Sequence, residues 1–255
     1  MTTDISAGVQ PLAGVFLLDK PAGMTSFAVV RTVRRLLGIK KVGHAGTLDP
    51  FATGLLIVCA GRPATRLIDR FMAGTKEYAA TLQLGQETET QDPEGRVTAV
   101  GQVPELDDSR IDQVLQGFVG PGLQAPPPFS AAKHRGKPLY HYARQGIMIE
   151  KEPKAIEIYS LVRNHYDPQT HRLTITVTCS RGTYIRVLAA DIGRELGCGA
   201  HLVALRRIRS GSFSVAESLP VDELSTGEGR ERLLESMLPL ERVLQTLDET
   251  ETVVP

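Results

Sequence analysis

Residues 43–59 read Gly43-His-Ala-Gly-Thr-Leu-Asp-Pro-Phe-Ala-Thr-Gly54 followed by Leu55-Leu-Ile-Val-Cys59. A glycine-rich loop with one carboxylate, one imidazole and two hydroxyls leads straight into an all-apolar segment, which is typical of a buried strand. Small residues let a ligand approach the backbone closely, and Pro50 keeps Asp49 extended. An Asp-Pro pair alone is ordinary turn chemistry, so Asp49 becomes a catalytic candidate only with support from elsewhere.

The segments on either side of this loop predict an α+β fold. Residues 39–53 have no clear period, and we expect a loop there. The elements mix without regular βαβ alternation, which favours a mixed, mostly antiparallel central sheet flanked by helices. The predicted strands are 14–18, 55–59, 78–84, 156–162 and 173–179, and the predicted helices are 26–37, 64–72, 111–118, 184–196 and 240–247.

The charge of the chain is zero overall but strongly patterned. The 255 residues hold 29 Lys+Arg and 29 Asp+Glu. By segment, the net charge is +8 over 20–76, −7 over 77–112, +8 over 131–209 and −7 over 210–255. If the basic blocks meet on one face, they form a phosphate-binding surface. The alternative is solvated faces that form ion pairs with the acidic blocks.

Several classes of protein are disfavoured by what the sequence lacks. Three cysteines without a C-x-x-C pair argue against a disulfide framework and a zinc site. The longest apolar run has six residues, far below a membrane span, and the first ten residues do not resemble a signal peptide. The phosphate-binding loops G-x-x-x-x-G-K-[ST] and G-x-G-x-x-G are missing, as is the hydrolase motif G-x-S-x-G. We therefore expect a cytoplasmic protein without metal or nucleotide cofactor.

Two aromatic positions carry further chemistry. Tyr78 opens a predicted strand, and Tyr184 follows Ser180-Arg-Gly-Thr with Arg186 two residues later. Tyrosine rings can stack on bases, and arginine pairs with phosphate or carboxylate. Each of these residues alone is more often a core or surface residue.

Taken together, the motifs resemble the TruB family of tRNA pseudouridine synthases. The likeness is collinear over about residues 14–210. It runs through the segments Gly14–Ser26, Gly43–Pro50, Lys76–Tyr78, Pro127–Ala131 with Lys133, Cys179–Arg186 and Ala200–Arg207. Several motifs in family order are far more specific than any one of them.

The resemblance implies isomerisation of uridine to pseudouridine in the T-loop of tRNA, at position 55, without cofactor or metal. It implies that Asp49 is the catalytic carboxylate and that Arg186 pairs with it. It also implies that Tyr78 packs on the target base and takes its C5 proton. The implied substrate contacts are His44, which stabilises the flipped-out nucleotide, Tyr184 and Leu205 in the uracil pocket, and Lys20, Lys133, Arg135 and Lys137.

The resemblance also implies a domain organisation. Residues 1–215 correspond to the catalytic domain, and the basic, aromatic segment 124–152 corresponds to an insertion that grips the T-arm. Many family members carry a C-terminal RNA-binding domain of the PUA type. Residues 216–255 are acidic, and we expect a helical tail there in place of a full PUA domain.

Three alternative functions remain beside a monomeric enzyme that acts on tRNA without a protein partner. The first is the related guide-RNA-dependent pseudouridine synthase subunit, which would need the missing C-terminal domain. The second is a non-catalytic tRNA-binding or folding module, against which the retention of Asp49, Tyr78 and Arg186 argues. The third is a glycosidase that releases uracil. The reaction product distinguishes a synthase, a binding module and a glycosidase: pseudouridine, no change or free uracil.

Overall fold

The computed structural model describes residues 13–252, and its strands form one large sheet and two small ones. The first ten residues, on which the signal-peptide prediction rests, lie outside the described residues. The strands are β1 (Gly14–Lys20), β2 (Val42–Ala45), β3 (Thr53–Ala60), β4 (Lys76–Leu84), β5 (Gln86–Thr88), β6 (Val97–Val100), β7 (Gly120–Gln124), β8 (Lys133–His134), β9 (Lys137–Pro138), β10 (Lys154–Asp167), β11 (Arg172–Cys179), β12 (Ala200–Ser210), β13 (Phe213–Ser214) and β14 (Leu219–Pro220).

The helices flank this sheet and are short or of medium length. They are α1 (Ser26–Leu37), α2 (Arg62–Thr65), α3 (Ile68–Ala73), α4 (Asp108–Gln116), α5 (Leu139–Ala143), α6 (Ile185–Glu195), α7 (Gly229–Glu235) and α8 (Leu240–Thr252). Across the described part of the chain, none of the helices has the length and apolarity that crossing a membrane requires.

The large sheet has the order β14-β1-β3-β12-β4-β11-β10-β7, with β2 beside β3 and β13 beside β12. The pairs β1–β14 and β3–β12 are parallel, and the others are antiparallel. This confirms the predicted mixed, mostly antiparallel sheet flanked by helices. The central strand β12 brings Arg207 opposite both Gly54 of β3 and Tyr78 of β4.

The contact between β3 and β12 depends on a glycine. Gly54 has φ +100°, and a Cβ there would lie 2.3 Å from the carbonyl oxygen of Arg207. A larger residue would therefore clash with backbone and would also adopt an unfavourable conformation. Gly54 allows the strand after the glycine-rich loop to lie against the strand that carries Leu205 and Arg207.

Three buried clusters hold the layers together. One packs α4 and α6 against β4, β11 and β12, and includes Leu82, Ile111 and Ile192. The second packs α1 and α7 against one face of β1 and β3, and the third packs α3 and α8 against the other face. Because β3 is covered on both faces, its residues from Gly54 onward are buried, as its all-apolar sequence predicts.

The sequence-based element predictions were wrong or incomplete in several places, and the central strand β12 was not among the predicted strands. Residues 39–53 contain β2, which pairs with β3 and is too short to show a period. The predicted helix 64–72 is two helices, α2 and α3. In the acidic segment 216–255, α7 was not predicted and α8 extends beyond the predicted helix.

The acidic C-terminal segment packs on the sheet. Its strand β14 pairs with β1, and Val221, Leu224 and Leu233 are buried against α1 and β3. The assignment of residues 1–215 and 216–255 to separate regions stays a prediction. The physical core, however, includes residues from both.

Candidate active site

A cavity of about 370 Å³ lies where the glycine-rich loop, β4, β12 and the N-terminus of α6 meet. The residues meet here because β12 lies between β3 and β4 in the sheet and pairs with both, which brings loops that are distant in the chain to one point. Residues from four separate sequence motifs are therefore neighbours. The predicted site residues that line the cavity are Asp49, Tyr78, Tyr184, Arg186 and Leu205.

Asp49 and Arg186 form an ion pair in this cavity. Nε of Arg186 lies 2.9 Å from Oδ2 of Asp49. The Arg186 side chain is only 4% exposed, whereas that of Asp49 is 34% exposed and faces the opening. The arginine thus lies behind the carboxylate, and the carboxylate remains accessible to a ligand.

The remaining donors of Arg186 are held by backbone and by a second carboxylate. Nη1 donates to the carbonyl oxygen of Thr90 at 2.7 Å, and Nη2 donates to that of Phe129 at 2.7 Å. Nη1 also lies 3.4 Å from Oδ2 of Asp92, which is almost fully buried. The guanidinium is therefore fixed on several sides, and this fixes its orientation toward Asp49.

The electrostatics of Asp49 are balanced between burial and Arg186. Burial raises the pKa of the Asp49 carboxyl above its usual range, while the charge of Arg186 opposes that rise. The nearby charge of Asp92 adds to the rise, and that of Lys20 opposes it. The ionised form of Asp49 therefore depends on its two cationic neighbours.

Two buried side chains brace the loop that carries Asp49. Ser26 Oγ donates to the carbonyl oxygen of Leu48 at 3.0 Å and accepts from its N–H at 2.9 Å. Lys20 is fully buried, and its Nζ donates to the carbonyl oxygens of Met24 at 2.6 Å and Pro50 at 3.2 Å. Burial lowers the pKa of Lys20 to about 8. Its ammonium holds backbone and does not line the cavity.

Tyr78, Leu205 and Tyr184 form the walls of the cavity. Tyr78 and Leu205 are largely buried on neighbouring strands. Tyr184 precedes α6, where the side chain of Gln124 accepts from its N–H at 2.6 Å and donates to its carbonyl oxygen at 3.1 Å. Two aromatic rings and an aliphatic side chain beside a carboxylate suit a flat, polar-edged ligand such as a nucleobase.

The other predicted contacts lie outside this cavity. His44 lies on β2, and its Nδ1 is buried without a hydrogen-bond partner. Burial, and then the charge of Arg207, lower its pKa, so the imidazole is neutral at neutral pH. Lys133, Arg135 and Lys137 are exposed on the β8–β9 hairpin. Their contacts with substrate stay predictions.

Sequence reasoning missed four buried polar residues of the site. Asp92 was part of an acidic block, and Lys76 and Arg207 belonged to motifs without an assigned role. Gln124 marked only the start of the insertion. Asp92, Gln124 and Arg207 gain their places through partners far away in the chain, whereas Lys76 donates to nearby backbone carbonyl oxygens at the end of α3. Within residues 13–252, no group of three His, Cys, Asp or Glu side chains is arranged to hold a metal ion.

Comparison with known proteins adds independent information. Residues 34–185 match the TruB family pseudouridylate synthase (N terminal domain), and residues 186–249 match the tRNA pseudouridylate synthase B C-terminal domain. A protein of Desulfotalea psychrophila named tRNA pseudouridine synthase B is 54% identical over 91% of this chain and 95% of its own length. A Syntrophus aciditrophicus protein of the same name is 46% identical over 89% of this chain and 72% of its own.

Solved structures agree in fold. A chain in the crystal structure of a Cbf5-Nop10-Gar1 complex is similar with a TM-score of 0.67 and 30% identity, over 91% of this chain. This chain spans 62% of that one. A chain in the structure of an H/ACA RNP bound to a substrate RNA containing 2'-deoxyuridine has a TM-score of 0.65 and 26% identity over 91% of this chain and 61% of its own.

The fold, the site and these matches define a pseudouridine synthase. Within that class, the chain belongs to the TruB family. The family resemblance inferred from the motifs is therefore confirmed.

Proposed function

We propose that this chain converts uridine 55 in the T-loop of tRNA to pseudouridine, with Asp49 as the catalytic carboxylate. The enzyme class, an isomerase that forms pseudouridine in tRNA, follows from the family. The observation that supports the assignment of Asp49 is its ion pair with buried Arg186 at 2.9 Å, in a cavity lined by Tyr78 and Tyr184.

The reaction explains why these residue types meet. The C1′–N1 bond breaks, the uracil turns, and a C1′–C5 bond forms. The target uridine must first leave its stack, at a cost of a few kcal/mol, and stacking on Tyr78 returns about 1–3 kcal/mol. The Asp49 carboxylate attacks the sugar or the base, or removes a sugar proton. The buried walls limit access of water to C1′, where hydrolysis after cleavage of the C1′–N1 bond would release free uracil.

The substrate contact extends beyond the cavity. We assign the T-arm grip to the insertion 124–152, whose hairpin exposes Lys133, Arg135 and Lys137 next to the cavity-lining residues 130–132. We further propose that the enzyme works as a cytoplasmic monomer, without protein partner or cofactor. The guide-RNA-dependent alternative has less support. The relatives named tRNA pseudouridine synthase B are 44–54% identical to this chain, whereas the chain from the Cbf5-Nop10-Gar1 complex is 30% identical.

The test is incubation with an unmodified tRNA transcript, followed by mapping of pseudouridine. We expect modification at position 55 with the wild type and none with Asp49→Asn, which changes shape little and should still bind tRNA. Free uracil as the product would indicate a glycosidase, and an unchanged transcript would indicate a binding module. More than a few per cent of wild-type turnover in Asp49→Asn would refute the role of the carboxylate.

A further inference from the structure

Arg207 is a buried cation without a carboxylate partner. Its side chain is the largest of those that are fully buried, at 1% exposure. Nε donates to the carbonyl oxygen of Leu55 at 2.7 Å, and Nη2 donates to that of Gly46 at 3.1 Å. In the described part of the chain, no Asp or Glu oxygen lies within ion-pairing distance of it, in contrast to Arg186 and Arg206. A buried charge of this kind is costly to the fold and needs a reason.

Arg207 is the cross-strand neighbour of Tyr78. Arg207 and Tyr78 lie directly opposite each other on β12 and β4, and both line the cavity. Because directly opposite residues of neighbouring strands lie on the same face of the sheet, the charge of Arg207 acts on the Tyr78 hydroxyl. The same guanidinium donates to the backbone of Gly46, three residues before Asp49, and to that of Leu55 on β3, so it lies between the Asp49 loop and Tyr78.

We propose that Arg207 is a positioning residue for the isomerisation: it fixes the Tyr78 oxygen relative to the Asp49 loop and favours the ionised form of that oxygen. The inference rests on the proposed function, with Tyr78 as the acceptor of the C5 proton. In that step the C5–H bond breaks, its electron pair forms the C5=C6 double bond, and the electron pair of the C6=N1 double bond in the rotated intermediate moves to N1, which takes up a proton from water. The C5 proton passes to the Tyr78 phenolate, which later releases it to water.

The surroundings explain why the arginine is needed. Burial raises the pKa of the Tyr78 hydroxyl, and the charge of Asp49 acts in the same direction, while the charge of Arg207 opposes that rise. The charge of Arg207 is not neutralised locally, since it also contributes to lowering the pKa values of Lys76, His44 and Lys20. Without Arg207, burial and the negative charge of Asp49 would together disfavour the phenolate of Tyr78.

The kinetic test compares Arg207→Gln, Arg207→Lys and the control Arg206→Gln, a neighbouring arginine that pairs with Asp19 near the surface. Single-turnover rates are measured at saturating tRNA. For Arg207→Gln we expect a loss of about 100-fold, within the range for a proton-transfer group, and for Arg207→Lys a smaller loss, because the charge remains. The activity of Arg206→Gln should be near normal.

A second substrate distinguishes positioning of the Tyr78 hydroxyl from general support of the loop that carries Asp49. In tRNA containing 5-fluorouridine, fluorine replaces the C5 proton, so that the Tyr78 step is bypassed. Arg207→Gln should rearrange this substrate at a rate near that of the wild type. An equal loss on both substrates would overturn the proposal while leaving the isomerase function intact, whereas a wild type that forms no pseudouridine would overturn the function itself.

A spectroscopic measurement keeps the proposal testable if Arg207→Gln folds poorly. Tyrosine labelled with ¹³C at Cζ gives six signals, and the signal that disappears in Tyr78→Phe identifies Tyr78. We expect that signal to shift in Arg207→Lys, which loses the fork geometry, and to stay in place in Arg206→Gln. An unchanged Tyr78 signal in Arg207→Lys would show that the hydroxyl does not sense the guanidinium, and would overturn the proposal.

Discussion

At Asp49, two carboxylates compete for one arginine. Arg186 lies 2.9 Å from Asp49 and 3.4 Å from Asp92. Because Asp92 is buried and Asp49 is partly exposed, the inner carboxylate orients the guanidinium and the outer one faces the ligand. Asp92 thereby fixes the arginine, but its negative charge also raises the pKa of Asp49.

The first prediction concerns the acid limb of the pH–rate profile. In the proposed mechanism Asp49 reacts in its ionised form, so activity should fall as pH drops through its raised pKa. Asp92→Asn removes a charge that raises this pKa, and the limb should therefore move to lower pH. Arg186→Ala should move it to higher pH. The control is Asp191→Asn, at a surface ion pair with Arg194. A limb that moves upward in Asp92→Asn would contradict this electrostatic account.

The second prediction separates Tyr78 from Arg186. Tyr78→Phe keeps the stacking ring but removes the hydroxyl, so the final deprotonation should slow. Arg186→Ala leaves Asp49 without its counter-charge, so loss should occur before bond cleavage, with partial recovery at higher pH. With 5-fluorouridine-substituted tRNA, Tyr78→Phe should still rearrange the substrate and Arg186→Ala should not. Failure of both variants on this substrate would reject the division of roles.

Among the elements, segment 124–152 is connected directly to Arg186 of the ion pair and to Tyr184. The carbonyl oxygen of Phe129, near its start, accepts from Arg186, and Gln124 at its first residue holds the backbone of Tyr184. The hairpin β8–β9 and α5 extend from this base. A change in the insertion on binding RNA would thus reach the site through two hydrogen-bonded contacts.

The third prediction is that segment 124–152 exchanges amide hydrogens rapidly without RNA and slowly with it. The segment is basic, and its regular structure is a hairpin of two two-residue strands and a short helix. Its backbone therefore has few internal hydrogen bonds to protect the amides from exchange. Hydrogen exchange on free and tRNA-bound protein measures this, with β11 as an internal control that should stay protected in both states. Equal, strong protection of the segment in both states would identify it as rigid scaffold.

At the scale of the whole molecule, the structure divides the basic residues into two groups. Some pair with the acidic blocks, as Arg163 does with Asp108 and Asp112. Others are exposed and lie beyond ion-pairing distance of every described carboxylate. They include Arg31, Arg35, Lys40, Lys41, Lys133, Arg135 and Lys137. The ion-pairing interpretation of the charge pattern therefore holds for the first group, and phosphate binding by the second group stays a prediction.

The fourth prediction follows from the second group. Affinity for tRNA should fall steeply with salt concentration, because each cation that binds a phosphate releases counterions. Replacing Lys133, Arg135 and Lys137 together by Gln should reduce the slope of log affinity against log salt by about 1 for each phosphate-binding cation that is removed. Replacing the paired Arg163 should leave the slope unchanged. A flat dependence in the wild type would show that these cations do not bind RNA.

The sequence by itself determined the family, the fold class and the motifs whose residues line the cavity. Asp49, Tyr78 and Arg186 lie in recognisable local motifs, and the apolar run after the glycine-rich loop is the buried strand it predicts. These features are local, because periodicity and spacing are readable within a few residues.

The tertiary structure alone decided which residues hold the site in place. Asp92 lies 94 positions from Arg186 in the chain, and Arg207 lies 129 positions from Tyr78. Their contacts exist because β12 lies between β3 and β4 in the sheet. In addition, the loop after β5 contacts the N-terminal half of α6. The short strand β2 was missed for the same reason: four residues carry no period, and pairing with β3 is what makes them a strand. A buried charge is defined by the partners that surround it, and those partners meet only when the chain has folded.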